Sequence, residues 1–206
     1  MIHLYMVRHG ETDWNRTGRY LGRTDIALNE AGRQQAAHLA QHLSGRPVDA
    51  IYASDLQRAL ATAAIIGEQV GLKPIPDGRL RELAFGAFEG LTFEEARQKH
   101  KNMLDAWLDD PDVPPAGGEA FSAFSARVGA FLDEIKTKHD GQRIMIVAHG
   151  GPLREVLRLT LGLPRAGHWY FKLDTASLSE LAIYDAGPLL HKLNETGYLK
   201  ADSHDG

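Results

Sequence analysis

The run Arg143-Ile144-Met145-Ile146-Val147-Ala148-His149-Gly150-Gly151-Pro152 carries the strongest buried-strand signal in the chain. Consecutive apolar residues over so short a span suit a strand covered on both faces. His149-Gly150-Gly151 ends that strand, and Pro152 reads as the first residue of a following helix. Outward toward the N-terminus, Phe121, Phe124, Val128, Phe131, Leu132 and Ile135 stripe a helix from Glu119 to about His139. Phe93, Ala96, Met103, Leu104 and Trp107 stripe another over Thr92–Leu108. Between them, residues 109–118 hold three prolines and two glycines and read as a lid or rim loop.

Further out, Lys73–Leu80 is a weak strand. Ser54-Asp55 reads as the cap of a helix carrying Leu56, Leu60, Ala63, Ile66 and Val70, closed by Gly71. Val48–Ala53 is a strand. Asn29 caps a helix striped by Leu28, Ala31, Ala36, Leu39 and Leu43, and a loop joins it to the opening strand Ile2–Val7. Beyond Pro152, Ser177–Tyr184 and Leu189–Leu193 form an antiparallel pair around Gly187-Pro188. The order β-α-β-α-β-α-α-β-α-β-β predicts a three-layer α/β/α sandwich, its sheet mostly parallel and its helices on both faces. A single domain is expected over 1–199, with a disordered polar tail over 200–206.

Composition narrows the function classes. With 43% hydrophobic and 24% charged residues, the 206-residue chain is an ordinary globular one. Its net charge of -4 lacks the basic footprint of nucleic-acid binding. The absence of cysteine removes disulfides, thiolate nucleophiles and Cys-ligated zinc. No apolar run reaches the roughly 18 residues of a membrane span, so neither a membrane partner nor nucleic acid is expected and the cytoplasm is the expected location. The oligomeric state is open, with a homodimer as one option.

Ligands of such sheets bind outside the C-terminal strand ends. Arg8-His9, Ser54–Arg58 and His149 all fall there. Singly, each has a bland reading: a turn histidine, a surface arginine, an exposed loop carboxylate for Glu82. Together they suit phosphoryl transfer. Arg8 and Arg58 supply bidentate cationic donors for phosphoryl oxygens. A neutral imidazole can take the phosphoryl group covalently, a second histidine can donate to its oxygens, and Glu82 can exchange a proton with the leaving group and the water. His38 and His42 have metal-like i, i+4 spacing but no third ligand, and read as a solvated helix face. His100 reads as packing or pocket rim, and His168-Trp169-Tyr170-Phe171 as sheet packing, with a cleft lining as the alternative.

Four blocks in order resemble the histidine phosphatase superfamily, the phosphoglycerate mutase-like family, over nearly the whole chain. They are Arg8-His9-Gly10-Glu11-Thr12 with Asn15, Ser54-Asp55-Leu56-Gln57-Arg58-Ala59, Leu80-Arg81-Glu82-Leu83 with Glu89-Gly90, and His149-Gly150-Gly151. The resemblance implies that His9 is the phosphohistidine nucleophile and that Arg8, Arg58 and His149 form the phosphate pocket. It further implies contacts from Asn15 and the Gly150 N–H, and Glu82 as acid/base with Glu89 as the competing carboxylate. It implies no metal and no cofactor. Thr175-Ala176-Ser177 stands where many relatives carry Asn. The compact segment between Glu82 and His149 is most similar to the smaller phosphatases, such as α-ribazole, broad-specificity and metal-independent phosphoserine phosphatases. Hydrolysis of a small phosphorylated metabolite is therefore expected. Phosphoglycerate mutase is the alternative, and an idle phosphate-binding module the alternative of another class. Phe85, Phe88, the 109–118 loop, Trp107 and Trp169 are the expected specificity residues.

Overall fold

The computed structural model describes residues 1–200. The expected disordered tail lies outside the described residues except for Lys200, which closes a 3₁₀ turn, Gly197–Lys200. One six-stranded sheet runs β3-β2-β4-β1-β5-β6, with β1 Ile2–Arg8, β2 Ala50–Ala53, β3 Ile75–Pro76, β4 Arg143–Ala148, β5 Leu178–Tyr184 and β6 Gly187–Glu195. The first four are parallel; β5 runs against β1, and β6 runs against β5, so β5 alone opposes the direction of the rest. The helices are α1 Asp13–Arg16, α2 Glu30–His42, α3 Gln57–Val70, α4 Phe93–Lys99, α5 Lys101–Asp109, α6 Phe121–Lys138 and α7 Gly150–Thr160.

Alternation along β4 divides the interior into two cores. Ile144, Ile146 and Ala148 face one side, packing with Phe124, Val128 and Phe131 of α6 and Val156 of α7. Met145 and Val147 face the other, with Leu39 of α2 and Ala63 and Ile66 of α3. Side chains of successive strand residues point to opposite faces, so an all-apolar strand supplies both layers at once. This is the expected three-layer sandwich. The register sets Val7 beside Val147 and Arg8 beside Ala148. β1 and β4 therefore end level, and the residue after each, His9 and His149, emerges at the same sheet edge.

Several local expectations change. The third strand shrinks to Ile75–Pro76, because Asp77 turns the chain into a 3₁₀ turn, Gly78–Leu80, by accepting from Arg79 N at 2.8 Å. The helix over Thr92–Leu108 breaks at His100 into α4 and α5. Leu56, not Ser54-Asp55, is the N-cap residue of α3. Pro152 is the third residue of α7, where a missing N–H still costs no helical bond. His42 is not a solvated face: its ring stacks on Tyr198 at 4.6 Å. His168-Trp169 lies in a 3₁₀ turn, Arg165–Trp169, rather than in the sheet. The Asn29 cap holds, accepting from Gly32 N at 2.8 Å, and so does Gly71, at φ 75°.

Candidate active site

The sheet edge gathers Arg8, His9, Arg58, Glu82 and His149 from β1, α3, the stretch after the Gly78–Leu80 turn, and β4. His9 is buried, and its ring centroid lies 5.0 Å from that of His149. Nδ1 of His9 sits 2.7 Å from the Gly10 carbonyl, which accepts only, so Nδ1 carries the proton and donates. Burial, then the charges of Arg58 and Arg8, hold the ring well below its usual 6.5, against the Gly10 hydrogen bond. The ring is therefore neutral, and the Nε2 lone pair has no partner among the described residues. Backbone bonds fix the turn: Gly10 N–H donates to Thr62 Oγ1 at 3.1 Å, and Ala176 N–H to the His9 carbonyl at 3.0 Å. Ala176, at φ 52°, thus braces the backbone of His9.

Arg58 is fully buried and hydrogen-bonds to no carboxylate, although Glu82, Asp25 and Glu89 act on it through space. It donates from Nη2 to Gly22 O at 2.7 Å, from Nη1 to Thr24 O at 3.0 Å and from Nε to His149 Nδ1 at 3.2 Å. Burial lowers it to about 10, so it keeps its charge at neutral pH. Because Arg58 Nε can only donate, His149 Nδ1 is the acceptor and its Nε2–H donates to Ser54 Oγ at 2.8 Å. Burial, then the charges of Arg58, His9 and Arg8, keep His149 neutral too. Arg8 donates from Nη1 to Leu173 O at 2.6 Å, while its buried Nε has no partner. A buried orphan donor on a cation marks a place for an anion.

Glu82 turns its carboxylate onto two backbone donors, Leu83 N at 2.9 Å and Gly151 N at 3.0 Å. Gly151 has no room for a side chain, since a Cβ there would run into Glu82 Oε1. Glu89, the competing carboxylate, is occupied elsewhere. It accepts from Arg23 N at 2.9 Å, Thr24 N at 2.7 Å, Phe85 N at 3.1 Å and the Thr24 hydroxyl. Burial would raise it, but these bonds outweigh burial and hold it below the usual carboxylate range. Asn15 lines the cavity, but its Oδ1 accepts from Thr12 N at 3.1 Å in the cap of α1, which leaves its amide nitrogen as the group that can donate to a ligand.

A cavity of about 190 Å³ opens at this edge, lined by Arg8, Tyr20, Glu82, Phe85, Arg154 and Trp169 among others; His9, Arg58 and His149 are not in its lining. Phe88 and Trp107 stand behind the wall, both buried and packed on Tyr20. The 109–118 loop does not line it; Gly118 bridges to Phe85 from outside. Sequence reasoning missed Ser54 beneath His149 and Arg127, which donates to the carbonyls of Arg79, Arg81 and Glu82 at 2.6, 2.7 and 3.1 Å. It also missed Arg154. Its signal was available: Arg154 follows Gly150 by four residues and so shares its helix face. Among the described residues, no three His, Asp or Glu side chains stand close enough to hold a metal ion, and no helix is long and apolar enough to cross a membrane.

Fold and site together define an α/β enzyme that works on phosphoryl groups. The family model of the histidine phosphatase superfamily, branch 1, matches residues 4–196; the chain belongs to that superfamily and is a phosphatase. It is 36% identical over 200 residues to phosphoserine phosphatase 1 of Hydrogenobacter thermophilus, covering 97% of this chain and 95% of that one. Over 207 residues it is 35% identical to a metal-independent phosphoserine phosphatase of Arabidopsis thaliana, covering 96% and 83%. The crystal structure of the alpha-ribazole phosphatase from Shigella flexneri superposes with a TM-score of 0.87 at 31% identity, covering 94% and 96%.

Proposed function

We propose that the protein hydrolyses small-molecule phosphomonoesters in the cytoplasm through a phosphohistidine on His9, without a metal. The observation that carries this reading is a neutral, buried His9 whose Nδ1–H is held by Gly10 and whose Nε2 lone pair is bare beside two arginines that form no ion pair with a carboxylate. Nε2 attacks phosphorus, the N–P bond forms and the ester P–O bond breaks. Glu82 gives its proton to the departing alkoxide. Water then attacks the phosphohistidine, Glu82 takes its proton, and inorganic phosphate leaves with His9 restored. Arg8 and Arg58 bear the charge on the nonbridging oxygens throughout, the role preorganised cations play in phosphoryl transfer. As the dianion binds, Arg58 Nε turns from His149 Nδ1 to the phosphoryl oxygens, and the freed Nδ1 takes a proton from solvent, since the added negative charge offsets the arginines that keep His149 neutral in the free site. It then donates to a phosphoryl oxygen.

Two features favour hydrolysis over mutase chemistry. The segment from Glu82 to His149 holds only a 3₁₀ turn, Gly86–Phe88, then α4, α5, α6, β4 and their loops, and the cavity stays open to water. The relatives named as phosphoserine and α-ribazole phosphatases support a small phosphorylated metabolite as substrate. The test is a brief incubation with substrate and an alkaline quench. A gain of about 80 Da, one HPO₃ group, is expected on the peptide containing His9. It should be acid-labile and absent in His9→Ala; an acid-stable adduct on a serine or aspartate overturns the reading. Turnover should also survive chelator, and loss restored by added Mg²⁺ or Zn²⁺ would count against the arginines' role.

A further inference from the structure

Among the described residues, the arginines that are not exposed divide into two groups. Arg19, Arg46, Arg79, Arg81, Arg127 and Arg158 each form an ion pair with a carboxylate. Arg8, Arg58 and Arg154 have none. The first two meet the phosphoryl group in the proposed reaction. Arg154 is left over: a partly buried cation in the same cavity for which that chemistry has no use.

Its setting is built rather than incidental. Nε donates to the Phe171 carbonyl at 2.9 Å, and the guanidinium carbon stands 6.0 Å above the Trp169 ring. That leaves both Nη amino groups without a partner among the described residues. The neighbouring carboxylate, Glu155, does not neutralise it. Glu155 is spent on Arg158, with Oε1 2.7 Å from Nη2, on His168 Nδ1 at 2.9 Å and on Ser125 Oγ at 2.5 Å. Burial would raise Glu155, but these bonds outweigh it and hold it at about 2. The same clamp ties the turn that carries Trp169 to α7, so the surface beneath Arg154 is fixed. Gly150 sets the spacing. A Cβ there would lie 3.9 Å from Arg8 Nε and 3.9 Å from Arg154 Cζ, so a single small molecule can touch both cations.

We infer that Arg154 is a second anion-binding residue and takes a carboxylate on the same small molecule whose phosphoryl group lies on Arg8 and Arg58. The substrate class narrows to phosphomonoesters of short carboxylic acids, an inference that rests on the phosphatase reading above. A guanidinium fork matches the two oxygens of a carboxylate. The cavity of about 190 Å³ falls below the roughly 300–1,000 Å³ of sites for drug-sized ligands, which suits a chain of a few carbons.

The test compares 3-phosphoglycerate with glycerol 3-phosphate, which differ by a carboxylate in place of a hydroxymethyl group. Calorimetry on His9→Ala protein measures binding without turnover. The carboxylate should tighten binding roughly 10–100-fold, the range of charge-assisted hydrogen bonds. That ratio should collapse toward 1 in His9→Ala/Arg154→Met and survive in part in His9→Ala/Arg154→Lys, which keeps the charge. Equal affinity for the two ligands, no binding of either, or a ratio that Arg154→Met leaves intact overturns the inference; the last result would place Arg154 on the phosphoryl group. If the ratio behaves as expected but the wild type forms no phosphohistidine, the catalytic reading alone fails. If phosphohistidine forms and the ratio is near 1, this inference alone fails.

Discussion

At the scale of single residues, the site works by denying groups their usual neighbours. His9 stays neutral because an imidazolium there would be desolvated beside two guanidiniums. Protonation of His9 should therefore not limit kcat/KM until well below pH 6.5. Glu82 is tested by leaving group. Glu82→Gln keeps the shape and removes the acid, so kcat/KM for an alkyl phosphate should fall roughly 10²–10⁴-fold, the span of general acid catalysis. The loss for p-nitrophenyl phosphate should be much smaller, because nitrophenolate departs without a proton. Equal losses would take Glu82 out of the acid role. The sequence displayed Arg8, His9, Arg58, Glu82 and His149 because each sits in a short motif, all but Glu82 at a strand end or helix start. It did not display that Arg154 is unpaired, since the fate of Glu155 is decided by His168 and Ser125, distant in the chain. Nor did it separate Glu82 from Glu89 by environment: one faces the cavity and the other is consumed by four donors of neighbouring loops.

At the scale of elements, the Glu82 segment owes its shape to α6. Arg127, paired with Glu119 at 2.8 Å, reaches across to three carbonyls of the Arg79–Glu82 stretch. Arg127→Met leaves those acceptors without a donor. With each unsatisfied buried group costing ~1–3 kcal/mol, and part of that recovered by water, a stability loss of about 2–4 kcal/mol is expected in denaturant unfolding. Because Arg127 holds the Glu82 stretch and does not line the cavity, its variant should also copy the leaving-group dependence of Glu82→Gln in weaker form. Unaltered selectivity between alkyl and nitrophenyl phosphates would reduce Arg127 to a purely structural role. The periodicities of α2, α3, α6 and β4 made those elements legible, since each buries a continuous stripe. The third strand was overread because Lys73–Leu80 has strand-like residues but meets Asp77, whose side chain forms a turn. The break at His100 left no sequence mark, because the apolar residues on either side keep the same phase.

At the scale of the whole molecule, buried titratable groups set the response to acid. His9 and His149 have folded values well below 6.5. Between those values and 6.5 the unfolded chain binds protons that the folded chain refuses, so stability falls as pH drops below 6.5. Glu155 adds a second decline. Its folded value of about 2 against a usual 4.5 gives stability that is complete above 4.5 and is lost toward 2. Melting temperatures across the acid range should show both steps, with His149→Asn softening the upper one and Glu155→Gln the lower. A flat profile through either window would refute its assignment. The strand order has a consequence for how the molecule comes into being. β1, which carries His9, lies between β4 and β5, so neither neighbour exists until most of the chain has been made. Contacts so distant in sequence are slow to form, and an unpaired apolar strand is exposed to aggregation in the meantime. The nascent chain must therefore keep β1 soluble through most of its synthesis, and the sheet edge that brings His9 beside His149 is among the last parts of the protein to exist.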